Sequence, residues 1–226
     1  MHAQLKQATH THHVLLNRHF LLAGLTQADY PLENYPRLLT AYFYIYQGLE
    51  QQINNFLDRQ TGEFDYAARN KLPWLISDLD YLGVPVPPPR SSLFASLNFP
   101  AITNTDQLIG VLYTIEGSTL GGQVISRSLM KNFGLTFAQG ARFFNGYGEQ
   151  TLFMWQNFLN YVATASENKS QYTQAKQAAV QTFQLFKQVL DQSPCCTDSR
   201  KTDLASNEVD FRTNRLLADH EPLQSR

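Results

Sequence analysis

Cysteine is nearly missing from this chain: of 226 residues only Cys195 and Cys196 carry a thiol, and they are neighbours late in the sequence. That excludes a disulfide framework and suits a reducing compartment. Any excess of charge of one sign is missing too. Eighteen Lys and Arg against nineteen Asp and Glu leave a net charge of −1, so the chain carries no electrostatic footprint for nucleic acid or for an anionic membrane. No apolar run is long enough to span a bilayer, and the N-terminus has no signal-peptide core. A soluble, cytoplasmic protein is expected. Period-two alternation of useful length, a βαβ rhythm and internal repeats are likewise lacking.

What is present is helical periodicity. Leu5, Thr9, Leu16 and Phe20 recur at helical steps and predict a first helix from Gln4 to about Leu22. Pro36 suits the first turn of a second helix, running to about Asp58 with Leu38, Tyr42, Ile45, Leu49, Ile53 and Phe56 on its core face. Pro73 opens a short helix that Gly83 ends, and a proline-rich surface loop follows over 84–90. Asp106 or Thr105 caps a helix that closes at Gly134. Glu149 to about Ser166, with Leu152, Trp155, Leu159 and Val162 in register, and about Ser170 to Leu190 complete the set. These elements predict an all-α, single-domain helical bundle over 1–192, followed by a polar tail, loosely docked or disordered, over 193–226.

Two local features call for chemistry. Five of the six histidines, His2, His10, His12, His13 and His19, fall within the first nineteen residues. His13 lies in the apolar row, with Asn17 one turn later; its amide oxygen could take the proton of one ring nitrogen and leave the other free for a metal. A satisfied core histidine is the plainer reading. The second feature is Gly117, Gly121 and Gly122 inside a helical apolar pattern, where each glycine costs roughly 0.5–1 kcal/mol relative to alanine. Either the helix is loosened so that a flat ligand can lie against bare main chain, or small residues let two helices pack closely.

Three stretches resemble the heme oxygenases, particularly the bacterial biliverdin-producing type. Leu5-Lys-Gln-Ala-Thr-His-Thr-His-His13 is similar to the family's opening L-K-x-A-T-x-x-x-H, whose last histidine is the axial ligand of the heme iron. Ile115-Glu-Gly-Ser-Thr-Leu-Gly-Gly-Gln-Val124 is similar to its distal-helix motif, and the segment Ala175 to Phe186 to the late helix that walls the pocket. The resemblance spans about Leu5 to Leu190. It implies that Lys6, Thr9, His13, Asn17 and Phe186 bind heme, with His13 as the iron ligand, and that Gly117, Ser118, Gly121 and Gly122 form the catalytic distal side. Heme would be both substrate and cofactor, cleaved by dioxygen to biliverdin, ferrous iron and carbon monoxide. Electrons would come from a ferredoxin or flavoprotein reductase, and a bilin acceptor protein is a further partner.

The sequence departs from the family pattern at two places. Many members carry an aspartate after the first distal glycine, where this chain has Ser118, leaving proton delivery to water, Ser118 and Thr119 or weakening turnover. Thr151 and Trp155 stand where basic residues bind propionates in some members, with Arg142, Lys131 and Arg127 as stand-ins. The alternative function is a non-catalytic heme carrier or sensor of the same fold.

Overall fold

A computed structural model of the chain describes residues 1–60, 64–88, 97–165 and 172–193. The expected polar tail, apart from Ser193, lies outside the described residues, as do Cys195, Cys196 and the end of the proline-rich loop. Seven α-helices form among the described residues: α1 His2–Asn17, α2 Asn34–Leu57, α3 Leu72–Tyr81, α4 Thr105–Phe133, α5 Arg142–Asn145, α6 Thr151–Ala165 and α7 Thr173–Asp191. Single 3-10 turns at Ala67–Arg69 and Gly148–Gln150 join them. No strand forms among these residues; two isolated bridges at Thr136 are the nearest approach to one.

Helix α4 is the spine. Asn104, in extended backbone, accepts the amide of Gln107 at 3.0 Å and caps it, a role expected of Thr105 or Asp106. Gly134 ends it in the left-handed region (φ 70°), where a side chain is disfavoured. The helix is continuous through Gly117, Gly121 and Gly122, so the expected loosening does not occur. Tertiary packing overrides the glycine propensity: α4 lies along α7, and a Cβ on Gly110 would run into the Ala175 carbonyl and Ala178. Close approach through small residues is therefore real, but it is centred seven residues before Gly117.

Helix α2 places Leu38, Leu39, Tyr42, Ile45, Tyr46, Leu49 and Ile53 in the core. Helix α7 contributes Ala175, Ala179, Phe183, Phe186 and Leu190. Asp78 of α3 is fully buried and accepts the main-chain amides of Arg142 and Phe143 at 2.7 and 2.8 Å, tying α3 to α5.

Two expected faces differ. Helix α1 ends at Asn17 rather than near Leu22, because a run of tight turns follows and Tyr30 donates to the Leu21 carbonyl at 2.8 Å. Phe20 thereby leaves the buried row and is 40% exposed. In α6 the buried face is Thr151, Phe158 and Val162, and Leu152 points to solvent at 73% exposure. The register expected for Leu152 is thus rotated: the helix starts at Thr151, whose hydroxyl faces inward to the Gln123 amide.

Candidate functional site

Leu5, Thr9 and Leu16 seat α1 on the body of the protein, and Thr9 returns its hydroxyl to the Leu5 carbonyl at 2.8 Å. Thr9 therefore anchors α1 rather than presenting a free hydroxyl. His13 follows one turn later at the surface, its ring edge-on to Phe183 of α7 with centroids 6.0 Å apart. Partial burial lowers its pKa, and His10 lowers it further. At neutral pH the imidazole is uncharged and keeps a lone pair for a metal.

Asn17 stands where the helix spacing puts it, 3.4 Å from His13 Nδ1, but the near atom is Nδ2. In that orientation the amide donates to Nδ1, the reverse of the expected polarity. Rotating the amide half a turn brings Oδ1 to the same point, accepts the Nδ1 proton and frees Nε2. Lys6 is exposed on the same helix. The other histidines do not converge with His13: among the described residues no group of three or more His, Cys, Asp or Glu is placed to hold a metal ion. His19 instead lies 3.6 Å from Asp191, and His2 meets Tyr113 and Trp155.

On α4 the three glycines divide. A Cβ on Gly121 would meet nothing within 4 Å, and one on Gly117 only the Trp155 indole at 3.7 Å. Gly121 thus leaves bare main chain beside open space, and one turn earlier the Trp155 ring lies in van der Waals contact with Gly117. Gly122 does not share that face. Its Cβ position lies 2.7 Å from the Phe144 carbonyl oxygen, so Gly122 is a packing residue of the α4–α5 contact. Ser118 is exposed and donates to the Ile115 carbonyl at 2.8 Å. Thr119 is buried and turned back on the Glu116 carbonyl at 2.6 Å, away from Ser118's role.

Aromatic contacts leave α1 in two lines. From His13 the first reaches Phe183, and one turn on along α7 Phe186 packs against Tyr46 with centroids 5.9 Å apart. Phe186 is a core ring, packed edge-on against Tyr42 and Tyr46; Phe183 is the ring that meets the imidazole. The second line runs from His2 to Trp155 and ends over Gly117.

Behind Gly117 lies a group that the sequence reading missed. Glu116 is 1% exposed and accepts from Arg69 at 2.6 Å, Lys71 at 2.5 Å and Tyr147 at 2.9 Å. Lys71, equally buried, also donates its main-chain amide to Glu50 at 2.6 Å, and Tyr66 donates to the same carboxylate at 3.2 Å. Two carboxylates thus face two cations. Burial pushes the Glu50 pKa up against these donors and lifts the Tyr46, Tyr66 and Tyr147 hydroxyls well above the usual phenol range. The available signal was Glu116 itself, an acid inside an otherwise apolar helical row, which has to find a cation when buried. Arg142 is not free to serve as a propionate anchor: it donates to the Gly146 carbonyl at 2.5 Å and stacks over Trp74 at 4.3 Å. Arg127 and Lys131 are exposed on α4.

A family model described as heme oxygenase matches residues 1–192. The chain belongs to the heme oxygenase family. A curated relative named heme oxygenase, from Xanthomonas campestris pv. campestris (strain 8004), is 34% identical over 115 residues, which are 49% of this chain and 62% of that protein. The aligned stretch therefore spans less than two thirds of that relative. Among solved structures, the heme oxygenase of Leptospira interrogans superposes with a TM-score of 0.69 at 16% identity, covering 84% of this chain and 98% of that one. The heme oxygenase of Neisseria meningitidis, solved with NO and CO bound, gives 0.67 at 20% identity, over 88% and 94%. At such identities these two establish that the heme oxygenase fold is shared. The chain's own residues suit a flat macrocycle: a neutral imidazole on α1, aromatic side chains beside it, and main chain without Cβ atoms at Gly117 and Gly121.

Proposed function

We propose that this chain is a heme oxygenase that opens the heme macrocycle with dioxygen and reducing equivalents, releasing biliverdin, ferrous iron and carbon monoxide. The observation that carries the reading is the bare main chain of α4, open at Gly121 and met only by the Trp155 ring at Gly117, in a helix whose Gly110 and Gly122 are filled by neighbouring backbone. Heme supplies the redox chemistry when bound. The protein's part is to hold and orient it. His13, neutral at pH 7, is the iron ligand, and Asn17 fixes which of its nitrogens is free. Lys6 lies on the same helix as a cation for a propionate. Phe183 packs against the imidazole, and Phe186 supports Tyr46.

Gly117 and Gly121 let the reacting ligand approach main chain. Ser118, the residue after Gly117, carries a hydroxyl that can pass a proton without bearing charge. It takes the place of the aspartate found after the first distal glycine in many family members. Electrons come from a ferredoxin or a flavoprotein reductase, and a bilin-accepting protein would receive the product. The cytoplasm is the proposed location; the single adjacent cysteine pair supports it, and no helix among the described residues is long and apolar enough to cross a membrane.

The test is one aerobic spectrum. Hemin added to the protein should give a Soret band, and a reductant in air should replace it with biliverdin absorption over minutes. A stable oxygenated spectrum without biliverdin would leave the carrier reading standing instead. No Soret band at all would overturn both.

A further inference from the structure

Arg69 is bonded on both sides of the contact between Gly117 and Trp155 without itself entering it. Its Nη1 donates to Glu116 Oε2 at 2.6 Å, and its Nη2 to the main-chain carbonyl of Met154 at 3.1 Å. Glu116 is the residue before Gly117 in α4, and Met154 is the residue before Trp155 in α6. A single planar guanidinium therefore spans the two helices one residue behind the two groups that face each other, with the Trp155 ring 3.7 Å from a Cβ position on Gly117. The fork is rigid and delocalised, so its two bonds fix a distance as well as a charge.

The anchorage is itself well held. The side chain of Arg69 is 5% exposed, with its guanidinium over the Phe64 ring at 4.8 Å. Lys71 and the Tyr147 hydroxyl also donate to Glu116, so three donors hold the carboxylate in place. Lys71 also donates to the Arg69 carbonyl at 3.0 Å and locks the turn that carries Arg69.

We propose that Arg69 is a positioning residue: by bridging Glu116 and the Met154 carbonyl it sets how far the Trp155 indole stands from the Gly117 main chain, and so how the macrocycle is turned beneath the reacting ligand. The inference rests on the heme oxygenase reading above. It makes Arg69 a determinant of which meso carbon is attacked, with no contact to heme.

Arg69→Lys keeps the charge but reaches only one of the two acceptors. A second variant, R69M/E116Q, removes one cation with one anion and leaves Lys71 balanced by Glu50, so that it folds if the lysine variant does not. Amide hydrogen exchange on the heme-free protein should rise by about tenfold over residues 115–118 and 153–156 in either variant, with α2 unchanged. With hemin, both variants should keep a Soret band, yet the biliverdin isomer distribution should differ from that of the unaltered protein. A folded variant with unchanged exchange at both segments, or with changed exchange and an unaltered isomer distribution, would overturn the proposal. Should the unaltered protein bind hemin but make no biliverdin, the oxygenase reading falls, and the assignment to regiochemistry falls with it; the exchange arm, read without heme, still reports separately whether Arg69 couples α4 to α6.

Discussion

The Phe144 carbonyl oxygen stands 2.7 Å from where a Cβ on Gly122 would sit, whereas the equivalent position on Gly121, one residue earlier, meets nothing within 4 Å. Adjacent glycines in one helix thus do opposite work. Gly122→Ala should destabilise the protein by about 1–3 kcal/mol, because backbone must shift to admit the methyl. Gly121→Ala should stabilise the heme-free protein by roughly 0.5–1 kcal/mol through helix propensity. Gly121→Leu should fold and yet block turnover. Urea denaturation separates the first two, and equal destabilisation by both would show that the glycines are alike.

His13→Ala should abolish the axial ligation signature of bound hemin, while His10→Ala and His12→Ala should leave the spectrum nearly unchanged. Asn17→Leu should weaken hemin binding by about 10–100-fold, the usual cost of removing a ligand's supporting hydrogen bond. Equal losses from all three histidine variants would point to a diffuse histidine tract.

Lys71→Met should cost about 3–5 kcal/mol, since it leaves buried Glu116 and Glu50 facing Arg69 alone. The paired change Lys71→Met with Glu116→Leu removes one charge of each sign and should recover much of that loss. Denaturant midpoints of the heme-free proteins measure both. If the double variant is less stable by the sum of the two single losses, the charges are not coupled.

Asp78 has its pKa raised from 3.8 to about 6, by burial first, against the two amides and Arg142 that favour its ionised form. The folded state therefore holds the proton more tightly than the unfolded chain. The resulting stabilisation, about 3 kcal/mol at most, is complete below about pH 4 and lost as pH rises through about 6. Asp78→Asn has no such titration. The stability of the unaltered protein relative to Asp78→Asn should fall between pH 4 and pH 7, and a difference that stays constant would refute the assignment.

Much of the fold was legible because helices advertise themselves locally. Periodic apolar residues, Pro73 near the start of α3 and Gly134 at the end of α4 are signals within a few residues of what they specify. His13 and Asn17 were legible for the same reason, being one helical turn apart. The pairing of Arg69 and Lys71 with Glu116 was not, since it joins residues more than forty positions apart, and nothing in the intervening sequence specifies that separation. Leu152 was misread because the rotation of α6 depends on where it begins, and the Thr151 contact with Gln123 decides that from another helix.

The chain's own residue order determined six of the seven helices, all but the short α5, together with the imidazole at position 13 and a stretch of main chain stripped of side chains at 117 and 121. Tertiary packing alone decided which glycine faces open space and which faces the Phe144 carbonyl. It also decided that Phe183 rather than Phe186 meets His13, and that a buried acid stands behind Gly117. The physical reason is that helical periodicity is set by hydrogen bonds four residues apart, whereas exposure of a face depends on which other helix arrives against it.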